Sequence, residues 1–334
     1  MFDDNVRRIL TRNVRIPEVV WTDLSAQLAA LADAEQRTLS LLQRFGLSTL
    51  TSAISRDVER TERYVRGLIG DLPDGCWQFT DHIDGDLPGL DGDLDIVCTL
   101  TIDGQRAVFD FTGSSPQVPV AINATESFTR AATLTAFLAV FDAPELRFND
   151  GLYRALDVVV PPASLLAGRR PAPRAARGIT GFRTIDTVLG VLAEVVPGRV
   201  MAAGDGGATM ISLGTVEADG TSRVLVDFLC GAWGGRPNAD GLDGASALGA
   251  NLANVPIEEL EANFPVRFVR YGLVPNSGGA GRFRGGLASI REFTFLADDG
   301  VLSIRSDRRR HRPYGLAGGE PGAPSENWLN PETD

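Results

Sequence analysis

The residues with the most chemical potential lie in 276–291, which reads NSGGAGRFRGGLASIR. Gly278, Gly279, Gly281, Gly285 and Gly286 are interleaved there with Arg282 and Arg284, and Arg291 closes the stretch. Glycine loses more conformational freedom on folding than any other residue, so such a cluster marks positive φ or a close backbone approach. Guanidinium groups beside it offer planar forks of donors for a carboxylate or a phosphate. A plain structural reading, a wide hairpin or bulge feeding the strand at 287–296, fits the same spacing. The stretch is not a Walker loop, because that pattern requires a lysine and the chain has none. It is not a dinucleotide fingerprint either, since a strand follows it where that fold needs a helix.

Other groups are weaker candidates. Asp240, Asp243, Asn251 and Asn254 punctuate a long Gly/Asn/Asp-rich connection, and connections of that length are usually functional or disordered. The acidic segment 81–95 lacks the closing glutamate and the glycine placement of a calcium loop, so it reads as a solvated hairpin loop. Ser114 and Ser115 sit between glycine and proline with no His/Asp partner in view, which argues against a serine nucleophile. The basic run from Arg308 to Arg312, on a chain of net charge −11, reads as internal ion pairs or a local anion site.

The elements that must position these groups show in the apolar spacing. Leu24, Leu28, Leu31, Leu42 and Phe45 form one helical stripe, which Gly46 stops. Leu47, Leu50, Ile54, Val58, Val65 and Leu68 form a second, completing a helical hairpin before Pro73. The residues ahead of it suggest no structure of their own. Strand patterns follow at 77–83, 94–102 and 105–111, the last two joined by an Asp-Gly turn. A buried helix capped by Asn123 or Thr125 comes next, then a strand at 156–160 and a period-free loop at 167–177. A helix starting at Thr184 leads to strands at 208–215 and 222–229, a short helix at 258–264 and a strand at 266–271. The fold class expected is α+β: mixed sheets with buried helices over 76–334, preceded by the hairpin and entry segment of 1–75.

Bulk properties limit the function. The hydrophobic fraction is 43% and the charged fraction 22%, ordinary for a globular protein with a sizeable core. An acidic chain, with a pI near 4.8, is a poor partner for nucleic acid or an anionic membrane. Cys76, Cys98 and Cys230 are odd in number and widely spaced, which suggests free thiols in a reducing compartment. No leader-like order or long apolar run is present, so a cytoplasmic location is expected.

The series of motifs resembles the hydantoinase B / 5-oxoprolinase family, which includes subunits of ATP-dependent acetone and acetophenone carboxylases. The matching words are FDFTGSSPQ from Phe109, Asn123 ahead of a buried helix, GAWGG from Gly231 and DGLDG from Asp240. NVPIEE from Asn254, NSGGAGRFRGG from Asn276 and YGLAGGEPGAPSENWLNP from Tyr314 complete it, in family order over nearly the whole chain. The resemblance implies ATP-driven opening of a lactam or hydantoin ring, or carboxylation of a ketone, with ATP bound by a hydantoinase A-like partner. Members are considerably longer at the front, where a His/Asp cluster is taken to bind a divalent metal. Here the two histidines, His82 and His311, neighbour no such cluster, so no metal or cofactor is expected on this chain. That half would be a separate partner, or the chain a truncated or noncatalytic interaction module. The chain also departs from the family at Gly178–Arg183 and at Gly207, where polar groups that could line a pocket are replaced. Within this frame Arg282, Arg284 and Arg291, with Gly278, Gly279 and Gly281, are expected to hold anionic groups of a small-molecule substrate. Asp240, Asp243, Asn251 and Asn254 would border the cavity, and no catalytic residue is assigned.

Overall fold

The computed structural model describes residues 3–141, 143–207, 209–216 and 220–331. Contrary to the sequence reading, the chain opens on a helix, α1 (Asp4–Arg12), whose first turn is capped by the Asp3 carboxylate accepting from the Asn5 N–H. Its apolar residues are exposed, so no burial pattern announced it. α2 (Pro17–Phe45) begins with proline, whose missing N–H costs nothing in a first turn, and stops at Gly46 with φ 77°. α3 (Leu47–Gly70) returns. Neither α1 nor α2 buries a residue, whereas α3 buries Val58, Thr61, Val65 and Ile69. The hairpin is therefore anchored through the second half of α3, and α2 extends roughly 40 Å at 1.5 Å per residue.

β1 (Gly75–Ile83), β2 (Leu94–Asp103) and β3 (Arg106–Asp110) form an antiparallel meander. Ile96, Cys98, Leu100 and Ile102 of β2 alternate inward, as a strand half-buried on one face requires. α4 (Glu126–Ala139) starts at Thr125, whose hydroxyl accepts from the Phe128 N–H; Asn123 is used differently, its buried amide bridging the loops at Val118, Val120 and Pro173. The short α5 (Asp150–Ala155), which the sequence did not show, feeds β4 (Leu156–Val159), and β4 joins β3 in parallel to complete the order β1-β2-β3-β4. α6 (Gly178–Val195) packs against α4 and covers β1 and β2. It starts six residues before the Thr184 suggested by sequence. Thr184 instead donates back to the Thr180 carbonyl at 2.8 Å, the mid-helix alternative to capping.

The remaining chain makes thinner layers. β5 (Met210–Val216) and β6 (Ser222–Phe228) pair antiparallel; the expected first strand residue, 208, lies outside the described residues. Two short strands, β7 (Gly231–Ala232) and β8 (Asp243–Ala245), interrupt the long connection, and α7 (Ile257–Asn263) leads to β9 (Val266–Leu273). β10 (Ser289–Phe295) pairs with β9 through a bulge at Glu292/Phe293. β11 (Val301–Arg305), unexpected because its side chains are mostly exposed, adds to β5. The core of the first sheet is large; a smaller cluster of Leu213, Leu225, Leu260 and Val266, with Phe264, Phe268, Phe293 and Phe295 packed against it, serves the second region. The architecture is α+β with a helical N-terminal region. No helix among the described residues is long and apolar enough to cross a membrane.

Helix-to-sheet distance in this fold is set by Gly190, where a Cβ would collide with the Phe79 ring, while Gly67 on α3 faces open space. Gly190→Ala should destabilise by about 1–3 kcal/mol through overpacking, outweighing its gain in helix propensity. Gly67→Ala should stabilise by about 0.5–1 kcal/mol. Denaturant midpoints of the two variants check both signs.

Candidate functional site

The glycines of 276–286 are used for close backbone approach. A Cβ at Gly278 would overlap the Gly285 carbonyl, and one at Gly279 the Glu320 carbonyl of the C-terminal segment. Ladder-like bonds hold that segment on the loop: Glu320 N–H to the Ala280 carbonyl at 2.8 Å and Ala323 N–H to the Ser277 carbonyl at 2.9 Å. Arg284 grips Asp243 with both terminal nitrogens, at 2.9 and 3.1 Å, and its backbone N–H bonds Asp240 at 3.0 Å. This bidentate contact holds the Asp243 carboxyl below the usual range. Arg291 is buried and ion-paired with Asp227, and it also donates to the Asn254 side chain at 2.5 Å and the Tyr271 hydroxyl at 3.1 Å. Burial lowers its pKa to about 10. Arg282 differs: it is exposed, lies over the Phe283 ring at 5.3 Å and has no ion-pair partner among the described residues.

Gly278, Gly279, Gly281, Arg282 and Arg291 line one large cleft of about 1710 Å³, together with Asp205, Arg308 and Tyr314. Asp240, Asp243 and Arg284 form their own ion-paired corner, and Asn254 is taken up by Arg291. Asn251 lines a second cavity of about 200 Å³ with Phe182, Asp205 and Cys230. Asp205 thus stands between the two cavities. Its carboxylate accepts from the Gly207 N–H at 3.1 Å, and burial raises its pKa to about 6.

Behind the cleft is a charge network that sequence reasoning missed. Arg183 of α6 and Arg308 are fully buried, facing Asp81 of β1, Asp186 of α6 and Asp307. Arg308 bonds Asp186 at 2.5 Å and reaches Asp81 at 3.2 Å, while Arg183 bonds Asp307 and lies 3.4 Å from Asp81. The Tyr314 hydroxyl donates to the Asp186 carbonyl at 2.6 Å. Burial raises the pKa of Asp81, Asp186 and Asp307 against the opposing pull of the guanidiniums. The signal available in the sequence was an arginine and an aspartate three residues apart inside a helix whose other residues, apart from Glu194, are apolar, glycine or threonine.

The segment 81–95 is not the solvated loop expected. Asp81 and Asp84 are buried, because the Arg-rich run docks on them. Asp84 accepts the backbone N–H groups of Arg309, Arg310 and His311 at 2.6, 3.1 and 3.1 Å, and Arg309 clamps Asp86 with two bonds of 2.6 Å. His82 and His311, expected to be apart from any cluster, stack with centroids 4.5 Å apart and bond Asp95 at 2.7 Å and Asp93 at 2.8 Å. Asp84, Asp93 and His311 come within 4.8 Å of one another. Their oxygens already serve the backbone N–H groups, Arg310 and His311, so this donor set does not fit a catalytic metal with an open position. The Ser114 and Ser115 hydroxyls bond the β2 backbone at Val97 and Asp95.

With the fold and the cleft described, the chain can be placed among known proteins. The Hydantoinase B/oxoprolinase family profile matches residues 2–334, and the chain belongs to that family. It is 35% identical over 323 residues to a putative D-/L-hydantoinase subunit of Pseudomonas sp. (strain NS671), covering 94% of this chain and 54% of the relative. The crystal structure of ATP-dependent caprolactamase from Pseudomonas jessenii superposes with a TM-score of 0.79 at 28% identity, over 87% of this chain and 51% of that one. A nucleotide-free acetone carboxylase structure gives 0.87 at 17% identity, a likeness of fold, over 97% of this chain and 46% of that one. The chain spans about half the length of the relatives it matches.

Two outcomes test the buried charges. Arg183→Met leaves Asp81 and Asp307 short of a guanidinium and should destabilise by about 3–5 kcal/mol. Asp205 has a folded pKa of about 6, above its unfolded value, so its contribution is full below about pH 4 and lost as pH rises through 6. Asp205→Asn should therefore gain on the wild type between pH 4 and pH 7, by about 1–2 kcal/mol after allowing for its partial exposure. Thermal unfolding across that range reads the slope.

Proposed function

We propose that this chain is part of an ATP-dependent amidohydrolase of the hydantoinase/5-oxoprolinase type, opening a cyclic amide with a hydantoinase A-like ATP-binding partner. The observation that carries the reading is the family match along the whole chain, together with the likeness to the Pseudomonas hydantoinase subunit. The ATP requirement is taken from the ATP-dependent caprolactamase, and the need for a partner from the hydantoinase relative being one subunit of its enzyme. Phosphorylation of the amide oxygen by the partner turns a poor electrophile into an activated one. The present chain then supplies donors for the anionic intermediate. Arg282, which has no ion-pair partner among the described residues, offers its guanidinium there, with the backbone of Gly278, Gly279 and Gly281 beside it in the cleft. Arg284 with Asp240 and Asp243, and Arg291 with Asn254, hold the platform rigid, and Asn251 borders the smaller cavity. A divalent metal would reside on the other half of the assembly, which would work in the cytoplasm. We take 1–75 as the hairpin and entry segment and 76–334 as the site-bearing domain. Ketone carboxylation is the second reading, favoured by the acetone carboxylase fold. A noncatalytic interaction module is the third, favoured by the departures at Gly178–Arg183 and Gly207.

The test is turnover of hydantoin, 5-oxoproline and caprolactam by this chain combined with its ATP-binding partner and the missing half. ATP-dependent ring opening is expected only with all components, and Arg282→Ala should lower kcat/KM at least tenfold, about 1.4 kcal/mol. Ring opening by the lone chain without ATP would refute the reading, and bicarbonate-dependent consumption of acetone would favour the second.

A further inference from the structure

The smaller cavity has the size and lining of a site for a compact ring. It measures about 200 Å³, below the roughly 300–1,000 Å³ of sites for drug-sized ligands. An apolar cavity of about 150 Å³ already takes a benzene ring. Phe182 of α6, Leu229, Cys230, Ala247 and Leu252 give it an apolar wall. Two glycines make room around it. A Cβ at Gly207, where φ is 58°, would collide with Ala247 and the Phe182 ring, and one at Gly231 would collide with the Asp205 carboxylate.

Two polar side chains line the same space. Asp205 spends one carboxylate oxygen on the Gly207 N–H and has no ion-pair partner among the described residues, so its second oxygen can accept. The Asn251 amide has no hydrogen-bond partner among the described residues and can donate. A ligand that fits this pair brings one donor, one acceptor and an apolar body. A lactam does so, because its ring holds the amide cis and sets N–H and C=O on one edge. The charged and titratable groups around Asp205 are Arg183 and Asp186 of α6, Arg308 beside Gly206, and the Cys230 thiol. Both guanidiniums are already committed to Asp81, Asp186 and Asp307. A second anion beside Asp205 would therefore meet repulsion that the water-poor surroundings screen poorly.

We propose that the smaller cavity is a specificity pocket for the ring of a neutral lactam, whose N–H donates to Asp205 and whose carbonyl accepts from Asn251. In the same pocket Asp205 turns away cyclic amides that carry a carboxylate of their own. The inference rests on the cyclic-amide reading above and narrows its substrate class. Asp205 lines the large cleft as well, so a ring held here keeps its amide edge at the boundary of the space that Arg282 lines.

The test titrates ε-caprolactam, N-methylcaprolactam and 5-oxoproline into the full 334-residue chain. Calorimetry reads affinity, and the backbone amide NMR signals of Gly207, Cys230 and Leu252 read location. Caprolactam should bind and move those signals. Removing the donor by N-methylation, or adding the carboxylate of 5-oxoproline, should each weaken binding by about tenfold or more near neutral pH. Asp205 titrates at about 6, so its charge is lost between about pH 7.5 and pH 5 while the 5-oxoproline carboxylate stays ionised. The preference for caprolactam over 5-oxoproline should shrink by about threefold or more over that descent in the wild type. In Asp205→Asn, which is expected to fold at least as well, the preference should be small and independent of pH. No binding of caprolactam, movement of signals elsewhere only, or a preference that Asp205→Asn leaves intact overturns the assignment. Turnover by the assembled enzyme is scored apart: ATP-dependent opening of 5-oxoproline as efficient as that of caprolactam keeps the function and removes the pocket. Selective lactam binding with no turnover of any cyclic amide keeps the pocket and removes the function.

Discussion

Two guanidinium groups buried among three carboxylates hold this molecule in register. Arg183 and Arg308 face Asp81, Asp186 and Asp307, and so tie β1 to α6 and both to the last part of the chain. Such a cluster adds little net stability over a well-packed apolar core, because desolvating the charges costs several kcal/mol per ion. What it supplies is position: an ion pair with fixed hydrogen-bond geometry cannot slide, whereas leucine packing can. Arg308 even adopts a left-handed φ of 67° to reach its partners, a conformation costing an L-residue roughly 1–2 kcal/mol. Its bonds to Asp186 and Asp81 offset that strain.

From this anchor the rest of the candidate site follows. Arg308 and Tyr314 fix the start of the C-terminal segment, and that segment lies against the glycine platform so closely that only hydrogen fits at Gly278 and Gly279. The platform presents Arg282 into the cleft, while Arg284 and Arg291 brace it through Asp243 and Asp227. One arginine of the stretch therefore faces solvent with its charge unspent, and two serve as struts. Asp205, which lines both cavities on a Gly-rich turn, is held by the Gly207 N–H on its carboxylate and by its own N–H on the Ala232 carbonyl.

The sequence made the period-2 strands and the long hairpin legible because those elements alternate or stripe their apolar residues, as Ile96 to Ile102 do in β2. α1, α5 and β11 were not legible: they bury little or are very short, so no periodicity builds up. The start of α6 was misplaced because Thr184 has the chemistry of a cap and spends it on the Thr180 carbonyl. The glycine/arginine stretch could be picked out locally, but its division of labour could not. Which arginine meets Asp243, Asp227 or solvent depends on contacts 41 and 64 residues away. The Arg183–Arg308 network was beyond reach for the same reason, although the reading of the Arg308–Arg312 run as internal ion pairs was correct for Arg308, Arg309 and Arg310.

The long span of that network has a consequence for how the protein is made. Asp186 and its partner Arg308 are 122 positions apart, and Asp81 and Arg308 are 227 apart. A ribosome adding about 5–20 residues per second leaves Asp81 and Asp186 without the Arg308 guanidinium for on the order of ten seconds. During that interval the helix can lie on the sheet only with its ionic side still hydrated. The nascent first layer is thus a loose lid, and the arrival of Arg308 is what shuts it.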